Sequence, residues 1–187
     1  SFLSDWLSDN DQIKLKTSGT TGNPKEIKVD KKAMILSAQN TGKYFNIVAG
    51  DNALLCLPIE FIAGKMMIVR AIVLGLDLHI SSPNSAPIND LTQDFDFVAM
   101  TPFQVEKNIN YIHKIKCLLI GGSPVSENLR EKITNKTSGV FETYGMTETV
   151  SHVAVKNLSA GETLFESIPG ITFKDSLGCL EINAPFI

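Results

Sequence analysis

Short β-rich runs alternate with longer segments of helical spacing along most of the chain, and this alternation restricts the fold more than any other feature. Short apolar runs bounded by turn residues predict core strands, and the first of them is stopped by Pro58. The predicted core strands are Leu54–Leu57, Leu76–Ile80, Phe97–Met100, Cys117–Ile120 and Val140–Thr143. Strands separated by helices in this way predict an α/β fold with layered, largely parallel sheets flanked by helices.

Three segments of the chain have the spacing of helices. The first begins after Asp30, which can act as its N-cap, and ends near Phe45. Its predicted buried face consists of Met34, Ile35, Ala38, Thr41 and Phe45. The second, about Ala63–Leu74, is apolar nearly all round and is predicted to be buried between layers. The third is predicted to begin with Ser123 as its N-cap and to end at about Ile133.

The last part of the chain has a different pattern. Residues 171–174 and 180–182 predict short strands separated by Pro-Gly and Leu-Gly turns. We therefore expect an α/β core over residues 1–155 and the start of a smaller β unit over residues 156–187, both belonging to one large domain. The only stretch with a linker-like composition, Ser81–Asp90, is predicted to be a surface loop.

Charge and cysteine content exclude several classes of protein. The 187 residues include 17 Lys and Arg against 20 Asp and Glu, a net charge of −3, which does not provide the basic surface that nucleic acid requires. Cys56, Cys117 and Cys179 are far apart, so they predict reduced thiols in a cytoplasmic protein rather than disulfides or a metal site. No apolar run approaches about 18 residues, and the first residues are acidic, so we expect neither a membrane span nor a secretory signal.

A polar loop between the predicted strands Ile13–Lys16 and Glu26–Val29 has the strongest functional signal. Its residues are Thr17, Ser18, Gly19, Thr20, Thr21, Gly22, Asn23, Pro24 and Lys25. The glycines let backbone N–H groups face an anion, the hydroxyls add donors, and Lys25 adds positive charge. This pattern predicts a phosphate cradle that can hold a triphosphate. It is not a Walker A loop, because Asn-Pro-Lys follows Gly22.

Three motifs, in order along the chain, resemble those of the adenylate-forming superfamily, which includes acyl- and aryl-CoA ligases, nonribosomal adenylation domains and firefly luciferase. Thr17–Lys25 resembles its signature loop, Gly121–Pro124 its Gly-Gly-Ala/Ser-Pro element, and Phe141–Thr149 its Tyr-Gly-x-Thr-Glu motif. The resemblance implies that a carboxylate attacks the α-phosphate of ATP and pyrophosphate leaves. The thiol of coenzyme A then attacks the acyl-adenylate.

The resemblance also implies roles for individual residues. Tyr144 would stack on adenine, and Gly121 and Gly122 would let the backbone approach the edge of the ring. Thr147 would contact the α-phosphate, and Glu148 would bind Mg²⁺. The expected catalytic residues are Lys25, Thr147 and Glu148. The other expected nucleotide-binding residues are Thr17, Ser18, Gly19, Thr20, Thr21, Gly22, Ser123, Thr143, Gly145 and Met146.

Two segments predict where the acid binds. Leu57–Met67 has Phe61 where many superfamily members have the His of a Pro-x-x-His-x-x-Gly pattern. Together with Thr147–Ala154, this segment resembles the short o-succinylbenzoate–CoA ligases of menaquinone biosynthesis. Such a substrate has a second carboxylate, which a protein must pair with a donor or a cation. The expected substrate-binding residues are Phe61, Ala63, Gly64, Lys65, Ser151 and His152. For Lys65 and His152 a purely structural role stays open.

The resemblance covers about Phe2–Ile187, which is only part of a complete member of the superfamily. A ribose-binding Asp, a hinge and a mobile C-terminal domain with a catalytic Lys would follow, so we expect the isolated chain to catalyse poorly. Three alternatives stay open: another acyl- or aryl-CoA ligase, an amino-acid-activating domain, and a non-catalytic nucleotide-binding remnant. An amino-acid activator would need an acidic group for the ammonium, and the sequence offers no convincing one. The sequence does not predict an oligomeric state.

Overall fold

A computed structural model describes residues 1–16, 26–134 and 139–185 of the chain. The helices are α1 (Phe2–Leu7), α2 (Lys31–Phe45), α3 (Ile62–Leu74), α4 (Pro102–Lys107) and α5 (Glu127–Ile133), with a 3₁₀ turn at Ile112–Lys114. The strands are β1 (Gln12–Lys16), β2 (Glu26–Asp30), β3 (Asn52–Leu55), β4 (Asp77–Ile80), β5 (Phe95–Met100), β6 (Ile115–Ile120), β7 (Val140–Gly145), β8 (His152–Asn157), β9 (Glu166–Ser167), β10 (Thr172–Ser176) and β11 (Cys179–Asn183).

Strands β3 to β9 form one sheet of seven strands in the order β4-β3-β5-β6-β7-β8-β9. The strands from β4 to β7 are parallel, and β8 and β9 extend the sheet in antiparallel fashion. The predicted α/β class, with a mostly parallel sheet flanked by helices, is therefore confirmed. Strands β1 and β2 form a separate antiparallel pair, and β10 and β11 form another, which contains the two short strands predicted near the end of the chain.

The inner parallel strands β3, β5 and β6 are largely buried on both faces, which explains their mostly apolar sequences. Along β5, Phe97 packs with Leu55 and Leu119 on one side of the sheet, whereas Val98 packs with Leu54 and Leu118 on the other. Helices α2 and α3 pack against each other, and their residues share core clusters with the first of these two faces and with the β1–β2 pair. The core therefore occupies two layers, one on each side of the central sheet.

All five predicted core strands are present, but β3, β5 and β6 begin two residues before their apolar runs. Strand β3 also ends at Leu55, two residues before the predicted end at Leu57. Polar contacts between neighbouring strands account for the early starts. The Asp96 carboxylate accepts the Asn52 N–H at 3.0 Å and lies 3.5 Å from the Lys116 ammonium. Apolar patterning misses polar residues that pair at the amino ends of buried strands.

Helix α2 agrees with its predicted bounds and buries Met34, Ala38 and Thr41. Helix α3 also agrees in its bounds, but its predicted burial between layers holds for only one side of the helix. Ile72 is 51% exposed, so α3 covers the sheet with one side and faces solvent with the other. Apolar composition alone does not distinguish a helix enclosed by protein on all sides from one that packs on a sheet and exposes its other side to solvent.

The predicted start of the third helix is wrong, and two helices, α1 and α4, were missed. Helix α5 begins after Ser126, whose hydroxyl accepts the Leu129 N–H, so Ser123 is not its N-cap. Helix α4 begins with a capping box in which Thr101 and Gln104 bond each other's backbone N–H groups. The Thr-Pro-x-Gln sequence at residues 101–104 is a readable signal for this helix.

The predicted surface loop at residues 81–90 is tied to the helix that follows it. The Gln104 side-chain amide donates to the Asn84 carbonyl at 2.9 Å, and that of Asn108 donates to the Ser85 carbonyl at 3.1 Å. Ile88 inserts into the core and is 1% exposed. Among the residues described, no helix has the length and apolar character needed to cross a membrane.

Candidate functional site

The second and third sequence motifs meet at one edge of the central sheet. β6 ends at Ile120 and is followed by the segment 121–125, and β7 ends at Gly145 and is followed by the turn 146–151. Because β6 and β7 are parallel neighbours, both segments leave the sheet at the same edge. Ligands of open α/β sheets bind outside the carboxyl ends of the strands, so this edge is the candidate site.

Thr143 joins the two motifs directly. Its hydroxyl donates to the Ile120 carbonyl at 3.0 Å. A Cβ at residue 121 would come within 2.7 Å of the same hydroxyl oxygen, so Gly121 permits this close contact. Gly122 has a φ of +88°, a conformation that favours glycine, and Ser123 beside it is exposed.

Tyr144 and Met146 are exposed at the end of β7, with Tyr144 at 39%. The Tyr144 ring lies 6.1 Å from the ring of Phe165, measured between centroids. Phe165 therefore bounds one side of the exposed Tyr144 ring. Sequence reasoning missed Phe165, because an aromatic residue in a polar loop carries no specific signal. Gly145 lies where β8 passes so closely that a Cβ would overlap the Ser151 carbonyl oxygen.

The turn between β7 and β8 is held by Thr149. This buried hydroxyl accepts the Met146 N–H at 2.9 Å and lies 2.8 Å from the Ser151 carbonyl. Val150 has a φ of +65°, which is strained for a β-branched residue. The bonds from Thr149 therefore stabilise a turn that the sequence 146–151 would not adopt by propensity alone.

Thr147 and Glu148 lie on this turn, and neither side chain forms a hydrogen bond or ion pair with another described residue. Thr147 is half-buried and Glu148 is exposed. No group of three His, Cys, Asp or Glu side chains that could hold a metal occurs among the described residues. A single carboxylate still fits Mg²⁺, which takes one or two protein carboxylates and completes its shell with phosphate oxygens and water.

Behind the turn, a buried arginine contacts two of the predicted substrate residues. Arg70 of α3 is 3% exposed, and its Nη2 donates to the Ser151 hydroxyl at 2.5 Å and lies 3.5 Å from Nδ1 of His152. Burial lowers the pKa of the Arg70 guanidinium to about 10. No carboxylate of the described residues forms an ion pair with it. We name Arg70, Ser151 and His152 the cationic cluster.

Sequence reasoning missed Arg70, although a lone arginine in the apolar helix α3 is a visible signal. His152 is buried and lies 3.4 Å from the Thr41 hydroxyl through Nε2. Burial, followed by the positive charge of Arg70, lowers the pKa of His152 well below its usual value. The histidine is therefore a neutral member of the cluster near pH 7, and the guanidinium supplies the positive charge.

The other predicted substrate residues lie at the start of α3. Phe61 is its N-cap residue and is exposed, as is Ala63. A Cβ at Gly64 would overlap the Pro58 carbonyl oxygen, so this glycine permits a tight turn into the helix. Lys65 donates to the Glu60 carbonyl at 2.7 Å, and burial lowers its pKa while Glu60 opposes that shift. The contacts of Lys65 are therefore separate from those of the cationic cluster.

The predicted phosphate loop, Thr17–Lys25, lies outside the described residues. Strands β1 and β2 flank it, and their ladder ends with Lys16 opposite Glu26. Lys16 and Glu26, the described residues on either side of the loop, are therefore adjacent.

These features define an α/β protein with a candidate ligand site at the carboxyl ends of two parallel strands. The chain matches the AMP-binding enzyme family over residues 15–174 and belongs to that family. The match includes all three sequence motifs.

Curated relatives of the chain include 2-succinylbenzoate–CoA ligases. The chain is 32% identical to a 2-succinylbenzoate–CoA ligase of Enterococcus faecalis, over 79% of this chain and 34% of the relative. It is 28% identical to that of Bacillus subtilis, over 80% of this chain and 34% of the relative. The chain thus spans about a third of the length of these curated relatives.

Solved structures have the same fold. An acyl-CoA synthetase (AMP-forming)/AMP-acid ligase II-like protein from Dyadobacter fermentans superposes with a TM-score of 0.88 and 38% identity, over 98% of this chain and 55% of that one. The O-succinylbenzoate coenzyme A synthetase of Bacillus subtilis, in complex with ATP and magnesium ion, gives a TM-score of 0.80. Its identity is 22%, over 93% of this chain and 41% of that one, so it supports the fold alone.

Proposed function

We propose that the protein takes part in the ATP-dependent activation of o-succinylbenzoate and its transfer to coenzyme A, a step of menaquinone biosynthesis in the cytoplasm. The acid carboxylate attacks the α-phosphorus of ATP, and pyrophosphate leaves. The thiol sulfur of coenzyme A then attacks the acyl carbon, and AMP leaves. Three observations support this proposal: the family membership, the relatives, and the cationic cluster.

The nucleotide would bind along the edge formed by the segment 121–125 and the end of β7. Tyr144 presents an aromatic face, and Gly121 and Gly122 leave backbone uncovered beside it. Stacking of a base on such a ring contributes about 1–3 kcal/mol. The phosphates would extend toward Thr147 and the loop Thr17–Lys25, where hydroxyls and one lysine provide donors.

Magnesium would be held by Glu148 together with phosphate oxygens. When bound, Mg²⁺ offsets negative charge on the phosphates during attack and departure. Thr147 would donate its hydroxyl to the α-phosphate, and Tyr144 would keep the nucleotide in place. Both residues lie within four positions of Glu148, so one turn orients all three groups.

The observation that carries the choice of substrate is the cationic cluster. A buried guanidinium without a carboxylate partner is costly unless a ligand supplies the negative charge. Arg70 lies behind Ser151, so a carboxylate that reaches the Ser151 hydroxyl meets the positive charge behind it. o-Succinylbenzoate has one carboxylate to react and a second one to bind, whereas a fatty acid or benzoate has none left over.

Pyrophosphate release by the full-length protein tests this proposal, with o-succinylbenzoate, benzoate and octanoate compared at equal concentration. We expect o-succinylbenzoate to be preferred over benzoate by about tenfold or more, because one charge-assisted hydrogen bond contributes about 1.5–3 kcal/mol. Acyl-CoA formation, followed by mass spectrometry, should depend on coenzyme A. Faster reaction with octanoate would instead indicate a general acyl-CoA ligase, and ATP binding without pyrophosphate release would indicate a non-catalytic protein.

The remaining groups for the reaction would come from polypeptide corresponding to the other two thirds of the relatives' length. In the adenylate-forming superfamily, this part includes a mobile C-terminal domain that closes over the site. Closure would exclude water from the acyl-adenylate. The cytoplasmic location rests on the three cysteines, which are free thiols.

A further inference from the structure

Glu142 lies in the middle of β7, is 5% exposed, and has a role that its sequence does not reveal. Its Oε1 accepts the Val125 N–H at 2.9 Å, so it holds the end of the segment 121–125. The neighbouring residue on β7, Thr143, holds the start of that segment through the Ile120 carbonyl. Two consecutive side chains of one strand therefore fix both ends of the segment.

The charge of Glu142 is compensated inside the protein. Lys156 lies directly opposite on β8, with its Nζ 2.7 Å from Oε2 of Glu142. Arg130 of α5 approaches the same oxygen at 3.9 Å. A buried ion pair contributes little net stability compared with an apolar pair of similar size, so stability alone does not explain why these two residues occupy this position.

Lys156 also lies close to Phe165, the aromatic residue beside Tyr144. Nζ of Lys156 lies 4.5 Å from the centroid of the Phe165 ring, which in turn neighbours Tyr144. The pair of Glu142 and Lys156 therefore contacts the segment 121–125 on one side and the neighbour of Tyr144 on the other. These two features bound the proposed adenine site.

We infer that Glu142 is a positioning residue, which fixes the backbone of the segment 121–125 at the distance from Tyr144 that the adenine ring requires. Glu142 does not touch the nucleotide and acts through the Val125 N–H. This assignment rests on the nucleotide binding proposed above. It explains why a carboxylate, the strongest acceptor available, occupies a buried strand position.

Two variants of nearly equal size isolate the bond to Val125. E142Q/K156M removes both charges but keeps an oxygen that can accept the Val125 N–H. E142M/K156M removes both charges and the acceptor. Arg130 loses Glu142 in both variants but keeps its ion pair with Glu127 at 3.3 Å, so neither variant leaves a lone buried charge. Both should therefore fold, and a comparison of their thermal unfolding checks this point.

The measurement is calorimetric binding of α,β-methylene ATP with Mg²⁺ to the full-length protein. We expect E142Q/K156M to bind within about threefold of the unsubstituted protein, and E142M/K156M to bind about tenfold more weakly, as for loss of one hydrogen bond. The Val125 amide should exchange hydrogen faster in E142M/K156M. Both variants should bind o-succinylbenzoate with the same affinity. A general structural defect would instead weaken the binding of both the ATP analogue and o-succinylbenzoate.

Equal affinity of the two variants for the ATP analogue would overturn the assignment. So would an equal loss of affinity of E142M/K156M for the ATP analogue and for o-succinylbenzoate. If the unsubstituted protein binds the analogue but adenylates no acid, the proposed function fails, and the comparison of the variants still decides the role of Glu142. If the unsubstituted protein binds no ATP analogue, both proposals fail.

Discussion

At the residue scale, the cationic cluster combines a permanent charge with two neutral partners. The Arg70 guanidinium stays protonated near pH 7 even though burial lowers its pKa to about 10. Ser151 is the half-buried member, so it forms the surface of the cluster that a ligand can reach. In the proposed function, the arginine would act on a ligand through the serine hydroxyl and through its electric field, which is weakly screened in the protein interior.

Replacement of Arg70 with Met should remove the preference for a second carboxylate. Methionine fills a similar volume in α3 without a charge, so we expect o-succinylbenzoate to bind about 10- to 100-fold more weakly, as for loss of a charge-assisted hydrogen bond. Calorimetry with o-succinylbenzoate and benzoate measures this effect. Benzoate and ATP should bind as before, and an equal loss for all three ligands would contradict the role given to Arg70.

His152 should make the stability of the protein depend on pH. The folded protein keeps His152 neutral, whereas the unfolded chain binds a proton below a pH of about 6.5. The free energy of unfolding should therefore fall between about pH 6.5 and 5, by up to about 1.4 kcal/mol per pH unit. Urea unfolding at several pH values measures the slope. The variant H152Q should flatten it, and H113Q, which removes an exposed histidine, should not.

At the element scale, the sequence predicts the bounds of strands and helices well where apolar periodicity sets them. It predicts them poorly where contacts between polar groups set them. The bounds of α2 follow from its apolar stripe, and the carboxyl ends of β5 and β6 follow from their apolar runs. The first residues of β5 and β6 do not, because Asp96 and Lys116 interrupt the apolar pattern there, and these two side chains pair with each other across the neighbouring strands. Such pairs become visible only when two strands are placed side by side.

The capping box of α4 offers a direct test at this scale. Thr101→Ala removes the hydroxyl that accepts the Gln104 N–H at 3.2 Å, and should lower the free energy of unfolding by about 1 kcal/mol. Thr101→Ser keeps the oxygen, and because serine is at least as good an N-cap as threonine, it should lower the free energy of unfolding much less than Thr101→Ala does. Urea unfolding compares the two variants. Equal losses would mean that the methyl group of Thr101, rather than its hydroxyl, stabilises the start of the helix.

At the scale of the whole molecule, sequence motifs locate the candidate site, but they do not reveal what supports it. The segments around Gly121 and Tyr144 are adjacent at one sheet edge, as parallel strands require. Arg70 and Glu142 are distant in sequence from the groups they contact, Ser151 and Val125. Their roles depend on the packing of α3 and β7 in the complete fold, which no local pattern contains.

The three cysteines differ in their expected reactivity, because two are buried at the central sheet and one is exposed outside it. Cys56 and Cys117 are buried in the region of β3 and β6, and burial raises the pKa of each thiol to about 12. Cys179 is exposed on β11. Because the thiolate is the reactive form, we expect Cys179 alone of these three to be modified rapidly by a disulfide reagent at pH 8.

Peptide mass spectrometry after timed labelling measures each thiol separately. C179S should abolish the rapid phase, and all three thiols should react quickly in concentrated guanidinium. In the folded protein, labelling of Cys56 and Cys117 requires the sheet to open, so its rate reports the stability of the sheet rather than the chemistry of the thiols. Rapid labelling of Cys117 without denaturant would show that α3 and Arg70 leave that face of the sheet in the native state, which would also contradict the fixed geometry of the cationic cluster.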